Sequence, residues 1–254
     1  MSAVEVEAVV TGRTDAPVVV LSNSLGSTYG MWDAQLAQLE ARFRVVRYNT
    51  RGHGDSPIPL DACTIDDLAD DLLALLDRLD VRRTHIVGLS LGGMTAMRIA
   101  ARNPERVERI ALLCTAAYLP PRDVWTERAA MVRGSGSAAV ASQVVRRWFT
   151  APYLAAHPDI RAAHEAMVAA TPAKGYAACC AALAALDLRG DLPSIAAPTL
   201  AIAGADDSAT PPKKLEEIVA GIPEARLLVV PGAAHLANAE RPDIVTPALL
   251  EHLQ

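Results

Sequence analysis

The chain has 254 residues, 51% of them hydrophobic, and a formal net charge of −5. That length suffices for one large buried core, and an acidic balance with no clustered basic run argues against a nucleic-acid-binding face. Four cysteines (Cys63, Cys114, Cys179 and Cys180) lack metal-ligand spacing; they read as buried free thiols, which points to a reducing compartment.

The N-terminal MSAVEVEAVV has neither a basic head nor an apolar signal core, and no apolar run is long enough to span a bilayer. A cytoplasmic protein without nucleic-acid or membrane partners is expected. In chain order, VEAVV (6–10), PVVVLSN (17–23) and FRVVRYN (43–49) predict three strands. TIDDLADDLLALLDRLD (64–80) predicts a helix. Thr64 can cap it, Asp66 and Asp67 suit its positive start, and Ile65, Leu68, Leu72, Leu75, Leu76 and Leu79 form one apolar stripe. Its aspartates are expected in solvent on the other face. HIVGLS (85–90) and RIALLCT (109–115) predict two more strands. From about Pro120 to Asp187 the composition is helical and no strand is predicted. Alternation resumes with PTLAIAG (198–204) and ARLLVVPG (225–232). Strands apolar at nearly every residue imply a parallel sheet buried on both faces. The expectation is an α/β doubly wound sheet: residues 1–119 and 188–254 form the core, and 120–187 form a helical cap inserted into it.

One serine lies where a predicted strand becomes a helix, in Gly88-Leu89-Ser90-Leu91-Gly92. A serine hydroxyl must project into a cleft to act as a nucleophile. A sharp strand-to-helix turn projects it, and glycines two before and two after relieve the crowding. Ser90 is therefore the candidate nucleophile. An acid and a base should follow downstream in that order. The loop after PTLAIAG holds Asp206 and Asp207, of which only one can face a cleft. His235, directly after the last predicted strand, is the candidate general base. His85 sits at a strand start, on the wrong end of the sheet, His157, His164 and His252 fall in helical stretches expected to be exposed, and His53 reads as structural. The backbone N–H of Leu91 follows the nucleophile and is one oxyanion donor; that of Leu25, in the loop after PVVVLSN, is the second.

Together these residues resemble the α/β-hydrolase fold family over the whole chain: a mostly parallel central sheet flanked by helices, with an inserted helical cap. The family's loop G-x-x-D-x-x-x-P matches Gly204 to Pro211, which selects Asp207 as the triad acid. Its D-x-R-G-x-G-x-S loop is similar to Asn49 to Ser56, with Asn49 where aspartate is usual. Its His-Gly-x oxyanion loop reads Asn23-Ser24-Leu25 here. LSNSLGSTYGMWD (21–33), YNTRGHGDSP (48–57), RRWFTAPY (146–153) and LPSIAAPTLAIAGADDSATPP (192–212) resemble the family's 3-oxoadipate enol-lactonases. That resemblance implies a Ser-His-Asp acyl-enzyme mechanism opening a small carboxylate-bearing lactone in aromatic catabolism, with no metal or organic cofactor. Arg133 and Trp148 are the candidates for binding that carboxylate. A general carboxylesterase or perhydrolase shares every catalytic residue, and a ligand-binding protein with an unused triad is the reading from another class.

Overall fold

The computed structural model describes residues 2–254. Seven strands among them form one sheet: β1 (Ala8–Gly12), β2 (Val18–Ser22), β3 (Arg44–Tyr48), β4 (Thr84–Leu89), β5 (Val107–Leu113), β6 (Thr199–Gly204) and β7 (Ala225–Val230). Their order is β1-β3-β2-β4-β5-β6-β7. β1 is antiparallel to β3, and the other neighbouring pairs are parallel. β1 begins two residues later than its apolar run because its ladder ends where Ala8 meets Tyr48, the last residue of β3. All six positions of both β4 and β6 are buried, so both faces of the sheet are covered there. Each buried Val, Leu or Ile in such a layer contributes about 1.5–3 kcal/mol.

The covering helices are α1 (Asp33–Glu40), α2 (Ile65–Arg78), α3 (Leu91–Arg102), α4 (Arg122–Ser135), α5 (Ala138–Trp148), α6 (Ala151–Ala156), α7 (Pro158–Ala170), α8 (Ala173–Ala184), α9 (Pro212–Gly221), α10 (Ala237–Glu240) and α11 (Pro242–His252). Thr64 caps α2 through a reciprocal pair: its hydroxyl accepts from Asp67 N–H at 3.1 Å, and Asp67 Oδ2 accepts from Thr64 N–H at 2.8 Å. The expectation of solvated aspartates fails for two residues of this helix. Asp67 and Asp71 are buried. Asp71 takes both forks of Arg51, Nε at 2.5 Å and Nη2 at 2.6 Å, and also accepts from Val4 N–H at 2.7 Å. A buried carboxylate is tolerable there because three donors replace its water. His252 is likewise buried rather than exposed, its Nε2 lying 2.9 Å from Ile110 O.

Five helices, α4 to α8, occupy the chain between β5 and β6. The two ends of this stretch meet: Tyr118 and Asp187 form an antiparallel bridge, and Leu188 N–H donates to Ala117 O at 2.8 Å. After β3 the chain crosses back past β2 to form β4, so sheet order reverses between β2 and β4. A crevice opens beyond the C-terminal ends of strands at such a reversal. Ser22, the last residue of β2, pairs with Gly88, so the loop at Asn23 and the turn at Ser90 flank that crevice.

Candidate active site

Ser90 follows the last residue of β4 and precedes the first residue of α3, with φ 56° and ψ −115°. A non-glycine residue at positive φ stores about 1–3 kcal/mol and persists where its surroundings over-determine it. Ser90 N–H donates to Leu113 O at 2.9 Å, and its carbonyl accepts from Thr115 Oγ1 at 2.7 Å. The flanking glycines are required by contact. A Cβ on Gly88 would lie 2.3 Å from Gly92 O, and one on Gly92 would lie 2.2 Å from Ser22 O.

Asp207 sits in the loop after β6 and is buried, whereas Asp206 is exposed. Its Oδ1 accepts from the N–H groups of Ala209 and Thr210 at 2.7 and 3.0 Å. Its Oδ2 accepts from Thr210 Oγ1 at 2.7 Å and from His235 Nδ1 at 2.8 Å. Burial pushes this carboxyl up, but His235 and Thr210 outweigh it and hold the pKa below the usual carboxylate value. The proton on His235 Nδ1 is thereby assigned, which leaves Nε2 as the acceptor nitrogen. His235 is itself buried, on the loop after β7. That loop is anchored by Leu236 N–H to Trp148 O at 2.8 Å and by Ala234 N–H to Glu240 Oε2 at 2.8 Å. Glu240 also accepts from the N–H of Thr150 at 3.0 Å and from its hydroxyl, so one carboxylate joins the His235 loop to the α5–α6 junction.

Ser90 and His235 line one cavity of about 400 Å³, together with Ser24, Leu25, Trp125, Arg128, Arg147, Trp148 and Tyr176. No hydrogen bond joins the Ser90 hydroxyl to His235 among the described residues; what they share is the lining of this cavity. The expected Trp148 lines it. Arg133 does not: it is exposed, and Arg128 and Arg147 stand where it was expected. The reason is helical phase. Trp125, Arg128, Ala129 and Val132 follow i, i+3, i+4, i+7 on the inner face of α4, and Arg133 lies about 140° around the helix from Arg128. The same periodicity, read in the sequence, could have found Arg128. Arg128 stacks on Trp125, 4.9 Å from the ring centroid. Burial, and then the neighbouring Arg128 charge, push the Arg147 guanidinium below its usual value. No carboxylate pairs with either arginine among the described residues.

The loop after β2 is held by side chains that its sequence does not announce. Asn23 donates to Tyr48 O at 2.7 Å and accepts from Trp32 Nε1 at 3.0 Å. Ser24 N–H is directed at Met31 Sδ at 3.4 Å, and Gly26 N–H donates to His53 Nε2 at 2.9 Å. Burial pushes His53 down to about 4, so its imidazole is neutral and can accept. Asn49, the departure from the family's aspartate, accepts from Tyr29 N–H at 2.8 Å and donates to Glu7 Oε2 at 2.5 Å. An aspartate there would face Glu7 with like charge.

This sheet order, with a strained serine between β4 and α3 and a His–Asp pair beyond β6 and β7, defines an α/β-hydrolase. The α/β-hydrolase fold family model matches residues 17–242, and the chain belongs to that family and is a hydrolase of it. It is 36% identical over 240 residues to 3-oxoadipate enol-lactonase 2 of Acinetobacter baylyi, covering 94% of this chain and 89% of that one. It superposes on the crystal structure of the enol-lactonase from Burkholderia xenovorans with a TM-score of 0.95 at 40% identity, covering 98% and 96% of the two chains. A malate-bound thermophilic esterase from Thermogutta terrifontis superposes with a TM-score of 0.91 at 29% identity, covering 98% and 92%.

Proposed function

We propose that the chain hydrolyses a small carboxylate-bearing enol-lactone, of the 3-oxoadipate type, through a Ser90–His235–Asp207 triad. The observation that carries this reading is a single cavity whose wall holds Ser90, His235 and two guanidinium groups without acidic partners. Two like charges facing one space repel, and an anion between them relieves the repulsion while accepting forked hydrogen bonds. The enol-lactonase relatives, at 36% and 40% identity over nearly the whole chain, support the choice of substrate.

His235 Nε2 takes the proton of Ser90 Oγ as that oxygen attacks the lactone carbonyl. The N–H groups of Leu25 and Leu91 hold the resulting oxyanion, each worth about 3 kcal/mol of barrier. The ring C–O bond breaks, and the enol oxygen leaves with the proton from His235. Water, deprotonated by the same nitrogen, then frees the acid from Ser90, and the enol tautomerises to the ketone. Asp207 keeps the imidazole in the required tautomer and stabilises its cation. Every proton is carried by His235 or water, so this scheme calls on no cofactor. Arg128 and Arg147 hold the substrate carboxylate against the wall formed by Trp125 and Trp148.

Residues 120–187 serve as a cap on a core of 1–119 and 188–254; the Tyr118–Asp187 bridge gives that insertion a closed neck. The four free buried thiols fit a reducing compartment, in line with a cytoplasmic location. No described helix is long and apolar enough to cross a membrane. A broader esterase is the second reading, favoured by the esterase neighbour. Turnover of the enol-lactone beside neutral aryl esters, with Ser90→Ala as control, decides between them. A strong preference for the lactone, lost in Ser90→Ala, is expected. Equal rates on neutral esters favour the esterase, and lactone turnover that survives in Ser90→Ala overturns the triad.

A further inference from the structure

We propose that His53 is a positioning residue for the oxyanion loop: its Nε2 holds Gly26 N–H so that Leu25 N–H is the one donor of that loop left for the developing oxyanion. This rests on the hydrolase reading above and adds a residue that the triad does not need.

The loop's own hydrogen bonds carry the argument. Three of the four N–H groups from Ser24 to Ser27 are occupied: Ser24 by Met31 Sδ at 3.4 Å, Gly26 by His53 Nε2 at 2.9 Å, and Ser27 by Ser24 O at 3.2 Å. Leu25 N–H has no partner among the described residues, and Leu25 lines the cavity with Ser90. The two peptide planes that meet at Leu25 Cα are fixed from different sides. The first carries Ser24 C=O, which accepts from both Ser27 N–H and Ser27 Oγ, the latter at 2.8 Å. In a trans peptide N–H points opposite to C=O, so these bonds turn Leu25 N–H away from Ser27. The second plane carries Gly26 N–H, and its one hydrogen bond among the described residues is to His53. Without that acceptor the Leu25–Gly26 plane is free to rotate, and Gly26 N–H becomes a second, misplaced donor.

His53 is equipped for this and for little else. The proton on Nδ1 faces Arg51 O at 3.2 Å, which leaves the Nε2 lone pair for Gly26. The backbone around His53 is itself clamped. Arg51 is locked to Asp71, and Gly52, at φ +75°, packs so closely on α8 that a Cβ there would lie 2.3 Å from Gly175 Cα. An imidazole held this rigidly sets a peptide plane with the sub-ångström tolerance that a preorganised oxyanion site needs.

The test compares kcat per active site, counted by burst titration, in wild type, His53→Phe and His53→Gln. Counting sites removes any loss due to unfolded protein. His53→Phe is expected to lower kcat per site by about tenfold or more on lactone and aryl ester alike, with KM within about threefold, because the lost interaction belongs to the transition state. His53→Gln, whose Oε1 can replace Nε2, is expected to recover most of that rate. Unchanged kcat per site in His53→Phe, or no recovery in His53→Gln, overturns the assignment while Ser90→Ala inactivity leaves the hydrolase reading intact. If wild type and Ser90→Ala are equally inactive, both fall. A second measurement needs no variant: the scalar coupling across the hydrogen bond between Gly26 N and His53 Nε2, in ¹⁵N-labelled enzyme whose Ser90 carries a phosphonate. The coupling should persist while Leu25 N–H shifts downfield. A lost coupling with Gly26 N–H shifted instead overturns the proposal.

Discussion

Asp207 spends all its oxygen capacity on four donors, and this makes its charge testable. In Asp207→Asn the two backbone N–H groups still select the Oδ1 position for oxygen, so the amide NH2 must face His235 Nδ1. Two donors cannot share that contact. The imidazole flips its proton to Nε2 and stops acting as a base. We expect kcat to fall on the order of 10⁴-fold with the thermal midpoint nearly kept, as steady-state kinetics and calorimetry will check. In the same cavity, Arg128→Ala should raise KM for the carboxylate-bearing lactone about tenfold more than for a neutral ester, and Arg133→Ala should change neither. Equal effects of Arg128→Ala on both substrates contradict the carboxylate assignment. The three residues proposed as the triad could be singled out in the sequence because each sits at a fixed offset from a strand end. Arg128 becomes legible only once the phase of α4 is read with it, and Arg147 not at all, because an arginine's charge says nothing by itself about which face of its helix looks inward.

Two elements place these residues, and each can be broken singly. The β4–α3 turn works only if α3 starts against the end of β2. Gly92→Ala sets a Cβ 2.2 Å from Ser22 O, a backbone atom that cannot step aside. We expect it to cost about 1–3 kcal/mol of stability and to lower kcat well beyond the loss of folded protein, since the shift passes directly to Ser90. Helix α2 carries the other anchor. Asp71→Ala leaves the Arg51 guanidinium buried without its partner, a loss of about 3–5 kcal/mol in urea-unfolding stability; Asp71→Ala combined with Arg51→Met should regain most of it. The helix itself, its cap and its apolar stripe were legible. Asp71 lies three residues after Leu68 and four before Leu75, so it belongs to that stripe by phase. Its charge argued for solvent, and only the approach of Arg51 from another segment reverses that argument.

At the scale of the molecule, burial of neutral histidines links stability to pH. His53 and His85 are both pushed down to about 4, mainly by burial. As pH falls, the unfolded chain protonates near the ordinary value of about 6.5 while the folded chain resists until about 4. Stability therefore declines across that window, by up to about 1.4 kcal/mol per pH unit for each group, and His53→Gln should flatten the slope by roughly one group's share. The Asp207 contribution has the other position: its folded pKa is depressed, so it is full above the ordinary carboxylate value and is lost only as pH falls further. Urea midpoints between pH 7 and 4 test this, and a flat profile contradicts it. The sequence by itself determined the parallel α/β layering, the helical insertion, and which serine, aspartate and histidine stand at strand ends. Those features follow from local periodicity and from turn stereochemistry, which are written in neighbouring residues. Only the tertiary structure decided which guanidiniums share a cavity with Ser90, why Asp71 is buried, and how His53, 27 positions from Gly26, comes to hold its N–H. Each of these is a contact between segments remote in the chain, and its partner is set by sheet order and helix phase rather than by any local pattern.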